Sequence, residues 1–343
     1  MHLTTWNLPD VVMALVSLPI TSLVIAIFVS LVVEAWASHR RDAESAALRQ
    51  TDQLEIRSRH RSEVVLLAVV AVAVIVAPLA DVLLRSYVLD MSASTAPLRV
   101  AMPLLAACLG IAFVATWIGT RGTAPSSVPV IPAARRTWSS FSRPRDLVIL
   151  GTLLVVLVVT TVLAGLVSST DRDGRHVILQ IPVPNLPDVD PLRVQFYGWT
   201  YGIPALLGAA ALVVAVVVLL RLNAARPFIR PETVHAERTV RRHLASDATT
   251  IPIAALALAL AAGFRLVADA NAITGIVITG VNEGAPYDAT WKYAELAAVV
   301  GWGAPLLEVV GFTLLVLVAM RVPRRLPTPL LATGSAAPAE ELR

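Results

Sequence analysis

Residues 147–167 read LVILGTLLVVLVVTTVLAGLV, and this stretch decides the fold. It carries no charge over a length that, at about 1.5 Å per helical residue, matches the roughly 30 Å hydrocarbon core of a bilayer. So many valines would suit a buried strand in a soluble protein. Strands of that kind run about 4–8 residues, and this run is several times longer, so its length predicts a helix. In lipid a helix satisfies its own backbone hydrogen bonds, which an isolated strand cannot do.

Six more stretches of this kind lie on either side, at residues 11–36, 64–84, 100–119, 201–220, 251–268 and 298–320. The chain of 343 residues is 56% hydrophobic and only 15% charged, against roughly one quarter charged in soluble domains. The expectation is all-α: a polytopic transmembrane helix bundle of seven spans. Residues 1–325 form one membrane domain and 326–343 a disordered cytoplasmic tail. No loop is long enough for a separate soluble domain. The first stretch has no basic leader, carries Asp10 before it, and is too long for a signal core, so it is read as a retained span.

The basic residues fix an expected orientation. Segments 37–63, 120–146, 221–248 and the tail after Met320 hold 21 of the 28 Lys and Arg. The other side has Arg85, Arg99, Arg172, Arg175, Arg193, Arg265 and Lys292. The positive-inside rule then puts the N-terminus outside and the C-terminus in the cytoplasm. All five tyrosines, Tyr87, Tyr197, Tyr201, Tyr287 and Tyr293, fall at the expected outer face, as headgroup-level aromatics do. The net charge of +4 comes from arginines flanking spans, which argues for loop bias and against nucleic acid. Lys292 is the only lysine, a bias that suggests a GC-rich bacterial genome and so a bacterial inner (plasma) membrane.

The loops carry some structure of their own. Residues 43–63 have helix-forming composition and a Glu55/Arg59 pair, and are expected to continue the first helix. Pro231 opens a separate short helix running to about Leu244. The proline-rich middle loop should be extended. The expected partners of these basic segments are the lipid bilayer, and further a cytoplasmic protein or a second copy of the chain. Outer loops 168–198 and 269–297 contain apolar runs too short to span, at 176–181 and 273–281. Each is read as a connection, with a short strand, re-entrant piece or lid as alternatives. Three span–basic loop–span hairpins followed by a seventh span give a weak internal rhythm, as transporters often have.

Ionisable residues inside the spans are the candidate functional residues, because buried charge in a membrane is costly. Glu308 lies near the expected midplane, beside Pro305 and among Gly301, Gly303 and Gly311. It is either a proton or cation site or a neutral acid that holds helices together. Asp81/Arg85 on the second span and Arg265/Asp269 on the sixth are two i,i+4 pairs near the outer boundary, in reversed order. The reversed order allows the two helices to cross-pair; the pairs are read as boundary snorkelling with structural pairing, or as an outer gate or a binding site for a charged solute. Glu34 is expected at the inner interface. The six histidines are scattered outside the spans, Asp171–Gly174 is a turn with a faint likeness to a calcium loop, and Cys108 is a lone core thiol. No catalytic, cofactor or metal motif is present, and no mid-span lysine could form a retinal Schiff base. The expected function is transport of a small solute or ion, or the membrane part of a transport complex. The alternative is a non-catalytic accessory or sensor protein, with a membrane enzyme third.

Overall fold

The structure, a computed structural model, describes residues 19–41, 60–83, 96–121, 137–182, 190–228, 234–270, 275–276, 287–288 and 292–325. Among them are seven helices long and apolar enough to cross a membrane. They are α1 (Pro19–Arg41), α2 (Arg61–Leu83), α3 (Met102–Thr120), α4 (Pro144–Val167), α5 (Trp199–Ala225), α6 (Val234–Asp269) and α7 (Ala294–Arg325). The chain is thus a multi-pass membrane protein built as an all-α bundle.

Helix α6 is the central pillar. It packs against α7, α4, α3, α5 and α2, while α1 lies outside against α7. Sequence explains the position. Ala254, Ala255, Ala257, Ala259 and Ala261 alternate with leucines and are all buried. Small residues on every side let neighbouring backbones approach, which drives helix association where lipid is as apolar as leucine. Helices α1 and α4 do the opposite. They present Phe28 (68% exposed) and Leu166 (71% exposed) outward, where acyl chains would cover them. Helix α7 divides its faces: Leu296, Val299, Trp302, Leu306 and Val310 are exposed, whereas Ala304, Glu308, Phe312 and Leu315 are buried.

Two loop expectations change. The separate helix proposed at 231–244 does not exist as such: Val234 to Asp269 is one continuous helix of 36 residues, about 54 Å at 1.5 Å per residue. The polar segment 246–250 does not break it, because Thr249 and Thr250 turn their hydroxyls back onto the carbonyls of Ala245 and Ser246. Residues 61–63 belong to α2 and not to an extension of α1; residues 42–59 lie outside the described residues. The extended middle loop also falls largely outside them, with turns at 138–141.

The loop between α4 and α5, expected on the outer side, is a small antiparallel sheet. Its strands are β1 (Ser169–Thr170), β2 (His176–Ile181) and β3 (Leu192–Gln195), in that order. Ile178 pairs with Gln195 and Ile181 with Leu192. Asp171 closes the first turn by accepting the amides of Asp173 (2.9 Å) and Arg175 (2.8 Å). Gly174 there has φ +76°, which a side chain would resist. The Asp171–Gly174 segment is therefore a turn, with its carboxylate turned onto its own backbone. In the second outer loop, β4 (Gly275–Ile276) pairs with β5 (Tyr287–Asp288), and the rest of the 273–281 run lies outside the described residues.

The sheet also corrects the aromatic belt. Tyr197 and Tyr201 are buried, at 1% and 3% exposure, and do not sit among headgroups. Tyr197 and Thr161 share a hydrogen bond of 2.9 Å, and Gln195 Nε2 donates to the Tyr201 hydroxyl at 2.8 Å. These two phenols tie the sheet to the ends of α4 and α5. Burial pushes the Tyr197 phenol up from its ordinary range, against the hydrogen bond from Thr161.

Candidate functional site

Glu308 and Arg265, placed by sequence in two separate constellations, are one ion pair. Arg265 Nε donates to Glu308 Oε1 at 2.5 Å and Nη2 donates to Oε2 at 2.6 Å. Ser22 Oγ on α1 adds a third bond to Oε2 at 2.8 Å. Three helices, α1, α6 and α7, therefore converge on one carboxylate. Glu308 lies fourteen residues into α7, about 21 Å along it at 1.5 Å per residue, and so near its middle. Arg265 starts nearer the outer end, and its side chain reaches back along the bundle.

The local sequence makes this approach possible. Pro305 cannot donate to the carbonyl one turn earlier, which loosens α7 beside the site. A Cβ on Gly301 would stand 2.9 Å from Ala268 Cβ, and one on Gly311 would stand 3.0 Å from Leu258 Cγ and 3.1 Å from the Ala254 carbonyl. The two glycines thus set the spacing of α7 against α6 on either side of Glu308.

The pair is well withdrawn from water. Glu308 keeps 7% side-chain exposure and Arg265 keeps 20%. The parallel fork is the geometry in which guanidinium and carboxylate bind best. Every partner of Glu308 in this cluster is a donor, so the carboxylate acts purely as an acceptor. Glu308 thus joins three helices through Arg265 and Ser22, a contact common to both readings of this residue.

The other candidates are distributed around this junction. Asp81 is buried in the last turn of α2. Asp269 is exposed at the end of α6, within electrostatic reach of Arg265 and Arg99. Arg85 lies outside the described residues. The strong partner of Arg265 is Glu308, from a helix that the cross-pairing expectation left out. Glu34 is buried, at 8% exposure.

A second set of charges, at the basic end of the bundle, was not anticipated. Arg241 is only 2% exposed. It donates to the carbonyls of Arg226 (2.6 Å) and Pro227 (2.8 Å), reaches Glu237 at 3.3 Å, and stacks over Phe228 at 4.6 Å. Glu63 binds His60 at 2.9 Å and Arg226 at 2.7 Å, joining the start of α2 to the end of α5. Arg321 on α7 binds Asp247 on α6 at 2.5 Å. A helical signal was present for two of these. Glu237 and Arg241 are four apart on the stripe that continues as buried Ala245 and Ala248. Ser22 and Ser30, eight residues apart and so on one face of α1, were the trace of its inward side.

Among the described residues, two of the clefts that flank the bundle are not lined by Glu308. One, of about 370 Å³, lies on the outer sheet between Asp171, Arg175, Arg193, Gln195 and Tyr201. Asp171 and Arg175 pair there at 3.0 Å. The Asp171 carboxyl is held below its ordinary range, first by the Arg175 amide and further by the Arg175 guanidinium and the Asp173 amide. The other, of about 450 Å³, is at the basic end. No family model, no curated protein and no solved structure matches the chain.

Proposed function

We propose that the protein serves transport in a bacterial inner (plasma) membrane, as a carrier of a small solute or ion or as the membrane subunit of a transport complex. Its N-terminus faces outward and its C-terminus the cytoplasm. The orientation rests on the 21 of 28 basic residues that flank one side of the spans.

The observation that carries the reading is the Arg265–Glu308–Ser22 junction near the middle of the bundle. A buried ion pair is weak evidence for stability, because desolvating both charges offsets most of their attraction. Inside a membrane, such groups more often mark a solute or proton pathway. Arg265 keeps its charge at any physiological pH. In this structure Glu308 is the carboxylate that forks onto it, with Asp269 within electrostatic reach. An anionic solute reaching Arg265 takes the place of the Glu308 carboxylate, which then accepts a proton. The two states differ in which group neutralises the guanidinium, and solute binding biases them only by its differential affinity. The accessory reading draws less support, since Arg121, Arg226, Arg241 and Arg321 are engaged within the chain.

The test uses the full chain in liposomes holding a pH-sensitive dye, challenged with a panel of inorganic anions, inorganic cations and small carboxylates. At least one solute should move protons through the wild-type protein. None should do so through Glu308→Gln that remains folded. Absence of any solute-dependent flux in the wild type would overturn the transport reading. Unaltered flux in the Gln variant would leave the junction a structural one.

A further inference from the structure

The cleft at the basic end lies between the segment leading into α4 and the part of α6 that extends beyond the bundle. Ser140, Ser142 and Arg143 line it from one side, and Thr239, Arg242 and His243 from the other. Among the described residues no carboxylate lines it. The nearby acids are engaged elsewhere: Asp146 pairs with Arg145, and Glu237 is buried against Arg241. Arg143 and Arg242 contrast with the buried Arg241. Both are exposed, and no hydrogen bond or ion pair holds either side chain among the described residues. Ser142 Oγ is withdrawn from solvent and has no hydrogen-bond partner among the described residues.

The position of the cleft narrows the ligand. It sits at the level where the apolar part of α4 begins. Immediately below, Val148 (66% exposed) and Ile149 (46% exposed) face outward, continued by Val155 and Leu163. Trp138 and Phe141, aromatics suited to the headgroup level, lie beside it. Two guanidinium groups, an imidazole and a hydroxyl with an open bonding position suit the oxygens of a phosphate group. An apolar helix face directly beneath suits acyl chains. We propose that the cleft binds the phosphate of an anionic phospholipid, with Arg143 and Arg242 clasping the headgroup and the chains lying along α4. This requires only that the bundle sits in a membrane and is independent of the transport reading.

The test uses the full chain in neutral detergent, with its unfolding midpoint followed during titration by short-chain phosphatidylglycerol. Matched phosphatidylcholine and inorganic phosphate are the comparison arms. Phosphatidylglycerol should raise the midpoint saturably. The half-maximal concentration should rise about tenfold or more in Arg143→Gln/Arg242→Gln, the loss expected for at least one charge-assisted bond. It should stay unchanged in Arg145→Gln, a neighbouring exposed cation outside the cleft. Ser142→Ala should weaken the response by a few-fold without touching a charge. An undiminished response in the double variant, or equal loss in Arg145→Gln, would overturn the site. Inorganic phosphate reproducing the whole shift would overturn lipid as the occupant.

Discussion

Replacing Glu308 by leucine leaves Arg265 facing an apolar side chain. Breaking a buried ion pair from one side costs about 3–5 kcal/mol, because the remaining charge is desolvated without compensation. Arg265 retains 20% side-chain exposure and lies within electrostatic reach of Asp269, so water and that carboxylate offset part of the loss and the lower end, about 3 kcal/mol, is expected. Glu308→Gln keeps an oxygen for Ser22 and one guanidinium N–H but loses the charge; the expected cost is about 1.5–3 kcal/mol. Arg265→Leu should cost about as much as Glu308→Leu. The double variant should lose far less than the sum, since replacing both charges by packed apolar groups is often close to neutral. The coupling between the two sites is then about 3 kcal/mol or more, the upper end of what contacting residues show. Equilibrium unfolding in mixed micelles, read by circular dichroism, gives all four stabilities. Single losses that add to within about 0.5 kcal/mol would refute the pairing.

Three further outcomes are expected. In a Cys108→Ala background, single cysteines at Asp173 and Asn282 should react with an impermeant thiol reagent in intact cells, while ones at Ser139 and Thr239 should not; the opposite pattern would invert the orientation. Arg241→Gln should destabilise by about 3 kcal/mol, because it removes a buried cation from Glu237 and a charged donor from two carbonyls, whereas exposed Arg238→Gln should change stability by less than about 0.5 kcal/mol; equal effects in chemical denaturation would show that Arg241 is not needed to cap the basic end. Asp171, with its carboxyl held below the ordinary value of about 3.9, should stabilise its turn at neutral pH and lose that contribution as pH falls below about 3.9. Protection of the Asp173 and Arg175 amides, corrected for intrinsic exchange, should fall from about pH 5 to about pH 2, and flat protection over that range would contradict the assignment.

The seven spans were legible because length and apolarity are properties of a single strand of text. Residues 144–167 and 102–120 end within a few positions of where hydropathy places them. Glu308 was legible for a related reason: the cost of its charge depends on depth, and depth follows from counting residues. Its partner was not. Which helix faces α7 is decided by packing, and Arg265, counted to the outer boundary by its Cα, carries a side chain long enough to return toward the middle. The extent of α6 was hidden because Ser246, Asp247, Thr249 and Thr250 look like a loop in one dimension. In the bundle, Arg321 binds Asp247 and the helix's own carbonyls take the hydroxyls of Thr249 and Thr250. The apolar run at 176–181 was compatible with a strand but was read first as a connection, because its pairing partner β3, behind a run of prolines, gave no signal. Tyr197 and Tyr201 were misplaced because a hydropathy profile cannot reveal a sheet that covers them.

The two ion pairs between α6 and α7 bear on how the chain is made. Arg265 and Asp247 both sit in the sixth span, and both of their partners, Glu308 and Arg321, sit in the seventh. Synthesis delivers α6 first. Until α7 follows, the central pillar lacks the carboxylate that forks onto Arg265 and the guanidinium that binds Asp247. The last span supplies both contacts in one step, so the charge pairing of the core helix is completed only when the C-terminal helix docks.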